Sequence, residues 1–225
     1  MAIQIQGNGG VVAEVDGTTF RAIRVTARPV NYGALGMYRL GATSGTIAAA
    51  LAANSELFQF RWPDASNLAL VYKVNISAGL NVAATAAGLV SLVMTAARTW
   101  TAAGSGGTRL TLTGNNCKLR TSMGTTLVND AGIATTGALT AGTKTLDATN
   151  LAAVAFAILT GAITTVVSGT ILPPTDLFAS GTEGDHPLVL AQNEGFVIRN
   201  GATAFPASAT WHLGVNVLWA EAAAF

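Results

Sequence analysis

The sequence predicts an all-β chain: an antiparallel β-sandwich, jelly-roll-like, with an extended N-terminal arm. Three observations carry that expectation. In Thr210–Glu221, Trp211, Leu213, Val215, Val217 and Trp219 alternate with His212, Gly214, Asn216, Leu218 and Ala220. Period two puts the five large side chains on one face of a strand, whereas a helix scatters them around its circumference. About ten short strand candidates follow one another with turn signals between them, the pattern of a sandwich or jelly roll. No long amphipathic helical pattern interrupts them.

In chain order, residues 1–10 read as an arm. Ile3 and Ile5 alternate with Gln4 and Gln6 before Gly7-Asn8-Gly9-Gly10 breaks the pattern. Such a segment is an edge strand or a tail laid on a neighbour, which makes Ile3 and Ile5 candidate interface residues. Residues 11–225 read as one domain, since no linker divides them. Val11–Val15 and Thr19–Ala27 are strand candidates around an Asp16-Gly17 turn. Asn31–Thr46 reads as loop with one strand at Met37–Leu40, and Thr46–Ala53 as two helical turns. Glu56–Trp62 alternates Leu57, Gln59 and Arg61 with Phe58, Phe60 and Trp62. Leu68–Ala78 is a second long strand, expected to pair with the first through Pro63–Asn67.

Further along, Val82–Thr99 is alanine-rich, with Gly88–Met94 favouring strand. Thr101–Gly107 reads as a flexible loop, Arg109–Thr113 as a strand and Asn115–Gly124 as a structured loop. Ile133–Leu146 suggests short threonine-bearing strands between glycines. Leu151–Ala155 suggests a helical turn, Phe156–Val167 and Ile171–Leu172 strands, and Pro173–Asp176 a loop. A polar loop, Ala179–Asp185, precedes the C-terminal strands.

Charged residues are 10% of the chain, against about 25% in typical soluble domains. That points to a surface covered by neighbours, or to a Thr/Ser/Asn/Gly surface that is soluble without charge. Residues 1–120 carry ten Lys/Arg and four Asp/Glu, a charge of +6, while residues 121–225 carry two and seven, a charge of −5. The basic residues stand singly, so the split suggests surfaces that meet each other or a neighbouring subunit rather than nucleic acid. Val74–Ala97 and Leu151–Thr175 lack charge, but polar and turn residues interrupt both, and Lys/Arg do not cluster beside them. Membrane insertion is not expected. Nor does the start, MAIQIQGNGG, read as a secretory signal.

The residues give little support for catalysis. His186 and His212 are far apart, and the one cysteine, Cys117, precludes an internal disulfide. Glu183, Asp185 and His186 form the densest titratable group and read as a solvated loop. Lys118 could depress the Cys117 thiol, a weak signal by itself. No nucleophile elbow, phosphate cradle or metal spacing is present. No catalytic, cofactor-binding or metal-ligating residue is assigned, and the expectation is a protein that is not an enzyme and carries no cofactor.

The phrases FRAIRVTARPVNYGALGMYRLG (20–41), LFQFRW (57–62), GNNCKLRTSMGT (114–125), PPTDLF (173–178), HPLVLAQNEGFVIR and TWHLGVNVLWAE resemble small virion structural proteins of tailed bacteriophages. Among those, the chain is most similar in style to jelly-roll head-decoration, or cement, proteins. The resemblance covers most of the chain and implies a non-enzymatic role. The expected partner is the major capsid protein, whose subunits the chain bridges, often as a homo-oligomer (dimer or trimer). The expected location is the capsid surface after synthesis in the host bacterial cytoplasm. A tail, collar or fibre component is the alternative.

Overall fold

The computed structural model describes residues 35–158, 170–180 and 186–223, all within the unit Asn31–Phe225. The expected arm with Ile3 and Ile5, and the strand candidates at 11–15 and 19–27, lie outside the described residues. The all-β expectation holds. Among the described residues there are twelve strands: β1 (Gly36–Thr43), β2 (Glu56–Trp62), β3 (Leu68–Val82), β4 (Gly88–Ala102), β5 (Gly107–Arg109), β6 (Asp130–Ala134), β7 (Thr143–Leu146), β8 (Ala152–Ile158), β9 (Thr170–Ala179), β10 (Leu188–Leu190), β11 (Glu194–Asn200) and β12 (Thr210–Ala222). No helix occurs among the described residues.

The first four strands pair with the later ones in reverse order. β1 joins β12, β2 joins β11, β3 joins β10 and β9 end to end, and β4 joins β8 and β7 end to end. This long antiparallel ribbon then folds on itself, so that β12 also pairs with β3 and β11 with β4. Two antiparallel sheets result. A five-stranded sheet runs β1-β12-β3 with β9 and β10 on the far edge of β3. A seven-stranded sheet runs β5-β6-β2-β11-β4 with β7 and β8 on the far edge of β4.

The inner faces meet in an aromatic core. Trp211, Leu213, Val215, Val217 and Trp219 are all fully buried, as their alternation requires. Trp219 of the five-stranded sheet stacks on Tyr38 at 5.6 Å and meets Phe60 of the seven-stranded sheet edge-on at 5.3 Å. Phe60 in turn stacks on Phe196 at 5.2 Å. At the other end of β12, Trp211 lies flat on Phe205 at 4.4 Å. Aromatic contacts of this kind add specific geometry to the large apolar area that these rings bury.

Several local expectations are corrected. β2 and β3 do not form a hairpin, because they belong to opposite sheets. Pro63–Asn67 is a corner between layers, held by the Asp64 carboxylate, which accepts from the backbone N–H groups of Ser66 (2.9 Å) and Asn67 (2.8 Å). Trp62 Nε1 closes it by donating to Asn67 O at 2.9 Å. Thr46–Ala53 is not helical. Ile47 and Trp211 exchange backbone hydrogen bonds, Ala48 N donates to Thr136 O and Ala50 N to Pro206 O, so these groups bond across the fold rather than along a helical turn. Leu151–Ala155 is not a helical turn but largely part of β8.

Pro173–Asp176 is not a loop but the middle of β9. Among the described strands it pairs with β3 alone, and the register shifts between Ile76 and Ala78, opposite Pro173-Pro174. An edge strand with a bulge tolerates the missing N–H groups. β5 ends at Arg109, short of the expected Arg109–Thr113 strand, because the chain leaves the sheet there. Part of the expected flexible loop at Thr101–Gly107 is taken up by the ends of β4 and β5.

The end of β12 carries a buried acid. Glu221 is 1% exposed and accepts hydrogen bonds from Thr126 Oγ1, Leu127 N and Trp219 Nε1. Burial pushes its carboxyl above the usual range despite those donors. Burial, with the Glu221 charge beside it, also pushes the Tyr38 phenol up to about 12.

Two predictions follow from this core. Trp219→Ala and Trp211→Ala should each cost about 3–5 kcal/mol, read as a lower midpoint in urea unfolding; two unchanged midpoints would remove the tryptophans from the core. The folded state holds the Glu221 proton more tightly than the unfolded chain does. This group's contribution to stability therefore falls as pH rises from the unfolded carboxyl pKa through the raised folded one, and recovers on acidification. Relative to Glu221→Gln, the wild type should gain melting temperature as the pH is lowered through that window. A parallel pH profile for the two proteins contradicts the assignment.

Candidate functional site

The outer faces of the two sheets differ. That of the seven-stranded sheet is closed by the chain itself around β11 and the second half of β4, while along β8 it is exposed, with Leu89 at 73%. After Arg98, β4 takes an irregular step: Thr99 adopts φ 48°, and the register against β7 shifts between Arg98 and Ala102. A positive φ is costly for a β-branched residue, and here it accompanies the inward turn of Trp100. Trp100 N donates to Asn193 O at 2.7 Å, and Nε1 to Ala102 O at 3.0 Å. The indole lies on Gly195, where a Cβ would come within 2.9 Å of the ring and closer still to Phe60 O. Trp100, Ala97 and Val197 become a small second core, flanked by Leu146.

Beside that core lies a buried polar cluster. Gln59 is fully buried, and Glu56 nearly so. Glu56 Oε2 accepts from Gln59 Nε2 at 2.6 Å and from Lys144 Nζ at 2.8 Å. Gln59 Nε2 also donates to Thr140 O at 2.8 Å, and its Oε1 accepts from Arg109 at 3.3 Å. Arg109 and Arg61 share Asp130, at 3.1 and 3.3 Å. The Lys144 side chain is 1% exposed; Nζ also donates to Ala141 O and sits 4.5 Å from the Trp100 ring centre. Gly104 packs over Gln59 so closely that a Cβ would come within 2.8 Å of both carboxamide atoms.

The outer face of the five-stranded sheet is open over its middle rungs, whereas at the Met37 end Leu70, Ala220 and Ala222 are buried. Rungs across β1, β12 and β3 set Arg39 beside Leu218 and Lys73, then Gly41 beside Asn216 and Asn75, then Thr43 beside Gly214 and Ser77. Arg39, Lys73, Asn75 and Asn216 line a cavity of about 260 Å³. Asp176 of β9 bonds Lys73 Nζ at 2.8 Å and Asn75 Nδ2 at 2.9 Å. Those two partners hold its carboxyl below the usual range. The Arg39 side chain is exposed and has no hydrogen-bond or ion-pair partner among the described residues. The groove can therefore accept an anionic or carbonyl-rich group, with Arg39 supplying unspent donors and the two amides fixing its register.

The residues weighed from sequence scatter. Cys117 is half-buried with φ 67°, and burial pushes its thiol up, opposite to the effect considered for Lys118. Lys118 Nζ bonds Asn115 instead. His186 Nδ1 lies 2.6 Å from Pro187 O, while Glu183 and Asp185 fall outside the described residues. His212 points to the outer face, 3.3 Å from Thr46 Oγ1. No group of three or more His, Cys, Asp or Glu fit to hold a metal occurs among the described residues. No helix there is long and apolar enough to cross a membrane.

Sequence reasoning set Gln59 and Arg61 on the face opposite Phe58, Phe60 and Trp62, but gave no sign of Lys144 or Arg109 as their partners. Comparison with protein-family models, curated proteins and solved structures finds no match. The closed face makes a direct prediction. Gly195→Ala should lift the indole from the sheet, lower the melting temperature and red-shift tryptophan emission; wild-type values for both would show that Trp100 does not seal this face.

Proposed function

We propose that the chain is a structural protein of a tailed-bacteriophage virion, a capsid decoration or cement protein that bridges and stabilises major capsid protein subunits. The strand order carries this reading. β1, β12, β3 and β9/β10 face β2, β11, β4 and β7/β8, with first-half strands paired to second-half strands in reverse. We read that order as jelly-roll-like, an architecture used by viral capsid and lectin domains. Fold alone does not fix function, so the surface has to supply the rest.

The surface supports docking on one side. One sheet is covered by its own chain around Trp100, and the other offers the open Arg39–Lys73 groove. A chain with so few charges gains from burying surface against neighbours, and a stable bridge needs more than about 1,000 Å². A homodimer or homotrimer provides that area by repetition. The residues that resemble phage virion proteins include Tyr38–Gly41 of β1, Leu57–Trp62 of β2 and Thr210–Glu221 of β12, which build both layers. Charges at such an interface set rate and register more than affinity, while a desolvated pair adds to both.

The test uses undecorated heads and isolated tails. Full-length protein should bind heads in stoichiometric, lattice-like numbers and raise their resistance to heat. Arg39→Glu/Lys73→Glu should keep the strand-type circular dichroism spectrum but lose about tenfold or more in head affinity. Removing Met1–Gly10, with Ile3 and Ile5, should weaken incorporation through lost backbone pairing. Binding to tails and not to heads would overturn the decoration reading in favour of a tail, collar or fibre role.

A further inference from the structure

We propose that Lys144 and Gln59 form an intramolecular isopeptide bond, with Glu56 as the proton carrier, so that the excursion between β4 and β8 is covalently stapled to the seven-stranded sheet. The inference rests on the buried cluster and is independent of the virion reading. Three groups of complementary chemistry meet there out of water. Lys144 supplies an amine, Gln59 a carboxamide, and Glu56 a carboxylate that touches the nitrogen of each through one oxygen, Oε2, at 2.8 and 2.6 Å. The carbon to be attacked is one bond beyond Gln59 Nε2. The opposite atom of that carboxamide, Oε1, accepts from the Arg109 guanidinium at 3.3 Å.

Each group has a role that its contacts define. Transfer of a proton from Nζ to Oε2 turns a buried ion pair into two neutral groups, which a low-dielectric site tolerates far better than water does. The freed lone pair attacks Cδ of Gln59. The carbonyl π electrons move onto Oε1, where Arg109 stabilises the developing charge. As the C=O re-forms, the Cδ–Nε2 bond breaks, and the leaving nitrogen takes a proton from Glu56, whose oxygen it already contacts. Nζ gives up its second proton, which stays on Glu56 or departs with the ammonia as ammonium. One amide bond forms, one breaks, and no oxidant or co-reactant is needed.

The surroundings hold the groups in place. Thr140 O and Glu56 fix Nε2, Asp130 fixes Arg109, and the Trp100 ring and Ala141 O hold Nζ. Gly104 and Trp100 cover the site. Holding the amine and the carboxamide on one carboxylate oxygen replaces a bimolecular encounter with an intramolecular one.

The experiment is intact-mass measurement of the purified full-length protein under denaturing conditions, followed by proteolytic mapping. The wild type should be lighter than its sequence by one ammonia and yield a branched peptide joining the segments around Gln59 and Lys144. Lys144→Arg and Glu56→Gln should both have their full sequence masses. A wild type at full sequence mass overturns the proposal, whatever the variants do. So does an ammonia loss that persists in Lys144→Arg, which assigns it to imide formation at Asn8-Gly9 or Asn200-Gly201. Head binding plays no part in this readout, so its failure is separable from failure of the decoration reading.

Discussion

β12 is hydrogen-bonded along both edges, to β1 from Thr43 to Gly36 and to β3 from Val82 to Leu68. One face of it carries the two tryptophans and three aliphatics that fill the interior; the other forms the floor of the open groove. Removing it would separate β1 from β3 and leave the inner face of the seven-stranded sheet without a lid. The large apolar surface at stake outweighs any single polar contact in the molecule. β12 is the last of the described strands in chain order, so the five-stranded sheet is completed only when the ribbon has folded back. Pairing of this kind has high sequence separation and is expected to fold slowly.

What was legible followed from side-chain periodicity. β12 and β2 were read with almost their observed limits, because alternation over seven or more residues survives any tertiary context. Partners were not legible. The Pro63–Asn67 turn looks like a hairpin, yet each edge of β2 and β3 is taken by strands distant in sequence. Alanine misled at Thr46–Ala53 and Leu151–Ala155, since its helix preference is weak beside the edge hydrogen bonds those segments make. Pro173-Pro174 misled because a bulged edge strand hides two missing donors. At the polar cluster, the outward face of Gln59 and Arg61 was visible, while Lys144, Arg109 and Asp130 arrive on an excursion whose path no spacing encodes.

The buried cluster also poses an energetic question. An ion pair and a carboxamide out of water are costly, and a hydrophobic replacement of equal volume is often no less stable. Here every donor of the Gln59 carboxamide is satisfied, so the cost is largely offset. The arrangement also brings an amine, a shared carboxylate oxygen and a hydrogen-bonded carboxamide into one dry compartment, which is the ground of the proposed isopeptide bond.

The charge split between the two halves has its physical account in the ribbon. First-half strands lie against second-half strands, so cations of one half meet acids of the other. Arg61 and Arg109 share Asp130, Lys73 meets Asp176, and Arg98 meets both Asp147 and Glu194. Lys144 with Glu56 runs the opposite way. Four of the ten cations in the first half are paired with second-half acids. Arg39 is different. It lies on the outer face of β1, beside a rung whose other cation, Lys73, already has Asp176. The strands around it offer amides and glycines but no second carboxylate. An exposed guanidinium with no partner among the described residues, beside the Asn75 and Asn216 amides, is the feature on which the proposed docking through the five-stranded sheet rests.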